Sequence, residues 1–369
     1  MNRTLSRRAA ATASAAFALS LVMTACGASN EDNSSTTPSD GGASLSGTLN
    51  GAGSSAQESA MDAWKSGFQT ANSDVTVNYD PSGSGAGVDQ FLAGGVDFAG
   101  SDAYLDSAQM SQATKQCNGG YVEVPVYISR IAVVYNLSGV DTLNLSPDTV
   151  AGIFAGQITK WNDSKIAAEN PGADLPDTAI TAVHRSDDSG TTFNFTDYLH
   201  QAASSVWTDE AGETWPFKSG EGGDGTSGVI EAVTQGDGAI GYADASQAGD
   251  LGIANIKVGS KYVAPSPEAA AAVVEASQPA SGRPANDLAI EVNRTSTDTG
   301  TYPVVLVSYQ IACGTYADQA KADLIRAFLA YEVSSDGQQA AAGAAGSAPL
   351  SDALSQQAAT AINTITSAG

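Results

Sequence analysis

Hydroxyl side chains stand in glycine-rich turns at four places in this 369-residue chain. They are Ser54-Ser55, Ser82-Gly-Ser84, Ser101-Asp102 and Ser189-Gly-Thr191, the last within Arg185-Ser-Asp-Asp-Ser-Gly-Thr-Thr-Phe193. A turn of this kind at the start of a helix offers unpaired backbone N–H groups and a partial positive charge, so it holds anions without a formal cation. Taken singly, each reads better as a helix cap and a turn than as an anion site; four together, one with an arginine, point to an anion site. Other chemistries find less support. The two histidines, His184 and His200, have no His or Cys partner at metal-ligand spacing and read as structural. Gly53-Ser-Ser-Ala-Gln57 lacks the last glycine of a nucleophile elbow. No Gly-Lys dipeptide occurs, which rules out a P-loop, and nothing calls for a cofactor or metal.

These turns need elements to position them. Val75 to Tyr79 alternates as a strand, and Val88 to Leu92 reads as helix. Val96 to Gly100 is a second short strand, followed by a helical period from Ser107. Ile180 to His184 is a third, followed by helical Phe193 to Leu199. Gly222-Gly-Asp-Gly-Thr-Ser-Gly228 opens a helix running through Val233, and Ala239 to Tyr242 returns as strand. Ala56, Ala60, Ala63, Trp64, Gly67 and Phe68 share one helical face, and Ser55-Ala-Gln-Glu58 spells a capping box that predicts the helix start at Ser55. Ala269 to Ala276 and Gln338 to Ala345 are alanine-rich helices to which no function attaches. Strand, loop and helix in repetition predict parallel sheets with covered faces, whose strand ends bring such turns together. The length predicts two lobes of roughly 150 residues each.

The first 25 residues carry Arg3, Arg7 and Arg8 ahead of an uncharged run ending Leu-Val-Met-Thr-Ala, and read as an export signal. Cys26 follows small residues in a pattern resembling the bacterial lipobox, which would make it the lipidated N-terminus; the alternative is ordinary cleavage near Ala25. Residues 26–46 read as a flexible tether, about 20 residues with an r.m.s. reach of about 25 Å. Losing residues 1–25 removes three of 16 basic residues and no acid, leaving 13 against 40, a net charge of -27. So acidic a protein is not a nucleic-acid binder, since phosphate backbones demand clustered Lys and Arg. With Cys26 lipidated, Cys117 and Cys313 remain as an even pair in an oxidising compartment, where bridging is the default and two buried thiols the alternative.

Six segments, in order, resemble the phosphate-binding lipoprotein (PstS) family of the phosphate-specific ABC transporter. They are LNGAGSSA at 49, YDPSGSGAGVDQ at 79, VDFAGSDAYL at 96, IFAGQITKWND at 153, HRSDDSGTTFNFTDYL at 184 and GAIGYAD at 238. The resemblance implies an α/β, two-lobed periplasmic-binding-protein fold of type II. Each lobe would be a mixed, mostly parallel sheet flanked by helices, and a two-segment hinge would join them. Residues 47–126 with 303–369 would form lobe I and 127–302 lobe II, with crossings near Tyr127 and Tyr302. That placement puts both Cys117 and Cys313 in lobe I, stapling its two segments.

Carried over position by position, the resemblance makes Ser55, Ala56, Ser84, Asp102, Arg185, Ser189, Gly190 and Thr191 the phosphate-binding set. Asp187 becomes the partner that orients Arg185, and Asp102 the residue that senses a proton on the ligand. A carboxylate only accepts hydrogen bonds, so it needs an oxygen still carrying a proton; HPO4(2-) and H2PO4(-) have one, and sulfate at neutral pH does not. Ala56 stands where relatives carry a bulky aromatic, and Asp188 where glycine is common. The implied protein is a monomer, not an enzyme. It would be lipid-anchored on the extracytoplasmic face of the bacterial cell membrane, passing inorganic phosphate to transmembrane permease subunits driven by a cytoplasmic ATPase. The alternatives are a receptor for sulfate or molybdate, or a secreted phosphatase or serine hydrolase using Ser55 or Ser189. The last lacks an evident base.

Overall fold

The structure, a computed structural model, describes residues 44–368. The segments read above as an export signal, a lipidated Cys26 and a tether lie, up to residue 43, outside the described residues. The chain opens with the strand β1 (Gly47–Gly53), the helix α1 (Glu58–Ala71), β2 (Val75–Asp80), α2 (Ser84–Leu92), β3 (Phe98–Ser101) and α3 (Ser107–Gln116). A 16-residue strand, β4 (Tyr121–Asn136), follows. After helices at Pro147–Phe154 and Ser164–Glu169 come β5 (Thr181–Arg185), α4 (Gly190–Ala202), β6 (Glu221–Gly223), α5 (Gly225–Gln235) and β7 (Ala239–Asp244). Further on, β8 (Val305–Cys313) precedes three C-terminal helices.

These strands form one sheet in the order β2-β1-β3-β8-β4-β7-β5-β6. The expected parallel pairs are present at both ends: β1 with β2 and β3, and β5 with β6 and β7. The middle is antiparallel. Residues 121–130 of β4 pair with β8, and residues 131–136 pair with β7, so one strand changes partners between Arg130 and Ile131 and belongs to both lobes. The return crossing lies alongside, where Ile131 N donates to Val304 O at 2.8 Å and the Tyr302 hydroxyl donates to Ile131 O at 2.9 Å. The β4–β8 ladder bulges at Ser308/Tyr309, opposite Pro125, which has no N–H to contribute.

Apolar periodicity decides which faces are covered. Ala60, Met61, Trp64 and Phe68 of α1 are buried, and the Trp64 indole N–H donates to Gly337 O at 2.8 Å in the helix Ser335–Ala345. The other lobe centres on aromatic packing, with Phe154 and Phe195 against Tyr242 at ring separations of 5.8 and 4.3 Å. Cys117, capping α3, bridges to Cys313 at the end of β8 across 196 residues of sequence.

The capping box expected at Ser55 does not form. The helix starts at Glu58 with Gln57 as its uncapped first boundary. The Ser55 hydroxyl instead reaches the opposite lobe, where it accepts from Thr226 N at 3.1 Å and shares a 3.0 Å hydrogen bond with Thr226 Oγ1. Two hydrogen bonds there outweigh the single one a cap would make. A capping box does form at Asp106–Gln109, ahead of α3.

Candidate functional site

The turns after β1, β3 and β5, with the N-termini of α2, α4 and α5, meet where the two halves of the sheet face each other. From the first lobe, Ser54 accepts from Ala56 N at 3.1 Å and donates to Asp102 Oδ2 at 2.7 Å. Ser84, first residue of α2, accepts from Asp102 N at 3.1 Å. From the second lobe, the core Tyr242 hydroxyl receives Arg185 N at 3.2 Å and lies 2.7 Å from Thr192 Oγ1, so one buried phenol positions both arms of the motif. Ser189 caps α4 by accepting from Thr192 N at 3.2 Å, and Thr191 donates across the lobes to Asp102 Oδ2 at 3.3 Å.

Glycine is required where the lobes touch. A Cβ at Gly190 would lie 2.6 Å from Ser84 Oγ and 2.8 Å from the Asp102 side chain. Gly83 holds a φ of +98°, and a Cβ there would lie 2.6 Å from Asp187 Oδ2.

Arg185 is buried, and its Nε and Nη2 donate to the two oxygens of Asp187, the first at 2.7 Å. Burial pushes the Asp187 carboxyl up, but the hydrogen bond and charge of Arg185 and the Gly225 N–H at 3.1 Å hold it below its ordinary value. The fork is thereby fixed with Nη1 outside the pair. Asp102 has the opposite environment. Its burial pushes the carboxyl up to about 6, although the Ser308 and Ser54 hydroxyls and the charge of Arg185 pull it down. Its Oδ2 has two donors, while Oδ1 is buried without a hydrogen-bond partner: the nearby Ser308 hydroxyl acts on it through its dipole only, being directed at Ser101 O at 3.5 Å. A buried carboxylate oxygen left this way demands a donor.

The family described as PBP superfamily domain matches residues 38–336. Phosphate-binding protein PstS2 of Mycobacterium bovis (strain BCG / Pasteur 1173P2) is 36% identical over 97% of this chain and 99% of its own length. The chain belongs to the PstS family. Phosphate-binding protein PstS 3 of Mycobacterium leprae (strain TN) is 34% identical over 95% of this chain and 96% of its own. In fold, this PstS-family chain matches a phosphate-bound high-affinity periplasmic phosphate-binding protein, PfluDING, with a TM-score of 0.69 at 23% identity, covering 84% of this chain and 92% of that one. A phosphate-binding protein from Stenotrophomonas maltophilia matches with a TM-score of 0.64 at 20% identity, covering 85% and 94%.

All eight residues carried over from the PstS family, and Asp187, lie in this inter-lobe region. Ala56 has its N–H engaged by Ser54. The hydroxyls of Ser82 and Ser101 are engaged elsewhere: Ser82 Oγ receives Gln90 Nε2 at 3.3 Å, and Ser101 donates to Ala103 O at 2.5 Å. The His184 ring stacks on Trp215 and its Nδ1 meets Arg185 O, while His200 Nδ1 meets Asp209 O. Asp188 acquires a role through its backbone, accepting from Gly85 N of the other lobe at 3.2 Å. Its side chain accepts from Thr214 Oγ1 at 2.6 Å. Burial, with the charges of Asp188 and Asp102, pushes nearby Glu213 up to about 7.

Sequence reasoning placed Ser54 in an anion turn but not as the direct partner of Asp102, and it gave no site role to Gly225 and Thr226, which join Asp187 and Ser55. The 222–228 stretch carries the same glycine and hydroxyl pattern at a strand-to-helix junction as the other turns, and that was the available signal. Asn194 and Gln247 also bridge the lobes, donating to Asp102 O at 2.7 Å and Ser55 O at 2.9 Å. Neither stands in such a pattern.

Proposed function

We propose that this protein captures inorganic phosphate outside the cytoplasmic membrane and delivers it to an ABC permease for import. The observation that carries the reading is Asp102: a buried carboxylate, bonded on one oxygen and unpartnered on the other, beside a buried arginine and a ring of hydroxyls. Arg185 supplies the positive charge, with Asp187 orienting it. Ser55, Ser84 and Ser189 supply hydroxyls, and Gly190 and Thr191 supply backbone N–H groups at the start of α4; the Ala56 N–H and the Thr191 hydroxyl, held by Ser54 Oγ and Asp102 Oδ2 in this structure, turn to the anion when it binds. Asp102 Oδ1 accepts from the proton that phosphate retains. Sulfate brings no such proton and would face the carboxylate as an unpaired like charge, which costs several kcal/mol in a buried site. This favours phosphate over sulfate or molybdate.

In this reading 47–126 with 303–369, and 127–302, are the two lobes, and the crossings at β4 and before β8 are the hinge. Cys26 anchors the monomer to the membrane through lipid, with transmembrane permease subunits and a cytoplasmic ATPase as its partners. A hydrolase would need a base within reach of Ser55 or Ser189, and both histidine rings are engaged away from those serines. Calorimetry on the protein lacking residues 1–25 tests the reading. Phosphate should bind tightly and sulfate only weakly or not at all; equal affinities would overturn it.

A further inference from the structure

Arg294 is 2% exposed, yet it belongs to no part of the anion site. It lies beside the return crossing between the lobes, where its Nη1 donates to Pro303 O at 3.0 Å and to Val305 O at 2.6 Å. Its Nε pairs with Asp197 of α4 at 2.9 Å. The remaining arm, Nη2, donates to Asn194 Oδ1 at 2.5 Å. Arginine carries only donors, so this contact decides which way the Asn194 amide faces. Its oxygen must point at Arg294 and its NH2 must point away.

The two hydrogens of that NH2 are then spent on two carbonyls. One is Gly190 O in the turn carrying Ser189 and Thr191, at 2.9 Å; the other is Asp102 O in the opposite lobe, at 2.7 Å. Asn194 is 4% exposed, and its side chain is saturated in this one orientation. A flipped amide would set its oxygen against two carbonyl oxygens and its NH2 against the guanidinium, losing all three bonds.

We infer that Arg294 is a positioning residue for ligand retention: anchored at the crossing between the lobes, it fixes the Asn194 amide, which clamps the Asp102 loop to the Ser189–Thr191 turn. The clamp forms only when the lobes meet. It therefore slows release of the anion and leaves entry nearly untouched. This inference rests on the phosphate reading above.

The test is stopped-flow phosphate association and dissociation on the wild type, Asn194→Asp, Arg294→Met and the double variant Asn194→Ala/Arg294→Met, with Asn194→Ala as reference. Asn194→Asp keeps the volume and gives Arg294 a better acceptor, so folding is protected, but it presents oxygen to both carbonyls. Dissociation should rise at least about tenfold in Asn194→Asp and in Arg294→Met, with association changed less than about threefold. The double variant should release phosphate no faster than the faster single variant, since both remove one clamp. Wild-type release rates in Asn194→Asp, equal changes in both rate constants, or multiplicative effects in the double variant would each overturn the clamp. A wild type that does not bind phosphate would instead overturn the reading beneath it.

Discussion

Ser55 and Thr226 stand 171 residues apart and in opposite lobes, and they are joined twice: through their hydroxyls at 3.0 Å and through Thr226 N at 3.1 Å to Ser55 Oγ. Neither bond exists unless the lobes meet. Ser55→Ala should weaken phosphate binding about five- to tenfold, in line with about 1 kcal/mol for a buried hydrogen bond. Thr226→Val, which keeps the backbone donor, should cost less. A double-mutant cycle by calorimetry checks the pair, with a coupling of about 0.5 to 1.5 kcal/mol expected.

The bridge between Cys117 and Cys313 ties α3 to β8 within one lobe, at the Phe98 end of the β3–β8 ladder, whereas the anion site lies at its Ser101 end. Replacing both cysteines by serine should lower thermal stability, by up to about 4 to 5 kcal/mol for so long a loop in the chain-entropy picture. Phosphate affinity measured well below the new melting temperature should change less than about threefold, because neither crossing between the lobes is touched.

Much of the site was legible because its parts are local. A strand, a glycine turn and a helix start can be read from a dozen consecutive residues, so Ser84, Asp102, Arg185 and Ser189 could be named together with their elements. What resisted reading was long-range. The Ser55-Ala-Gln-Glu58 pattern is a sound local cap, but the hydroxyl has a better partner in Thr226, which only the fold brings near. The antiparallel centre was invisible for a related reason. Both β4 and β8 are buried along nearly their whole length, so they lack the alternation that marks a half-exposed strand. Asn194 lies on an ordinary helical turn, and its importance comes from Asp102 and Arg294, 92 and 100 residues away.

Burial raises Asp102 to about 6 and Glu213 to about 7. An acid whose folded pKa lies above its unfolded value binds its proton more tightly when folded, so the stability gained from that proton is lost as pH rises through the folded pKa. Without phosphate, in a non-phosphate buffer, the melting temperature should therefore rise as pH falls from about 7.5 to about 5. Selectivity should move the other way. Once Asp102 is protonated it can donate to sulfate, so the preference for phosphate should narrow below about pH 6, as competition calorimetry across that range would show.

The most direct measurement is the phosphate-to-sulfate affinity ratio of Asp102→Asn set beside that of the wild type. The asparagine amide keeps the shape, removes the charge and offers a donor where the carboxylate could only accept. Phosphate binding should weaken while sulfate binding strengthens, reducing the ratio by about 100-fold, equivalent to about 2.7 kcal/mol. A wild-type ratio in Asp102→Asn would contradict the assignment of Asp102 as the group that reads the ligand's proton.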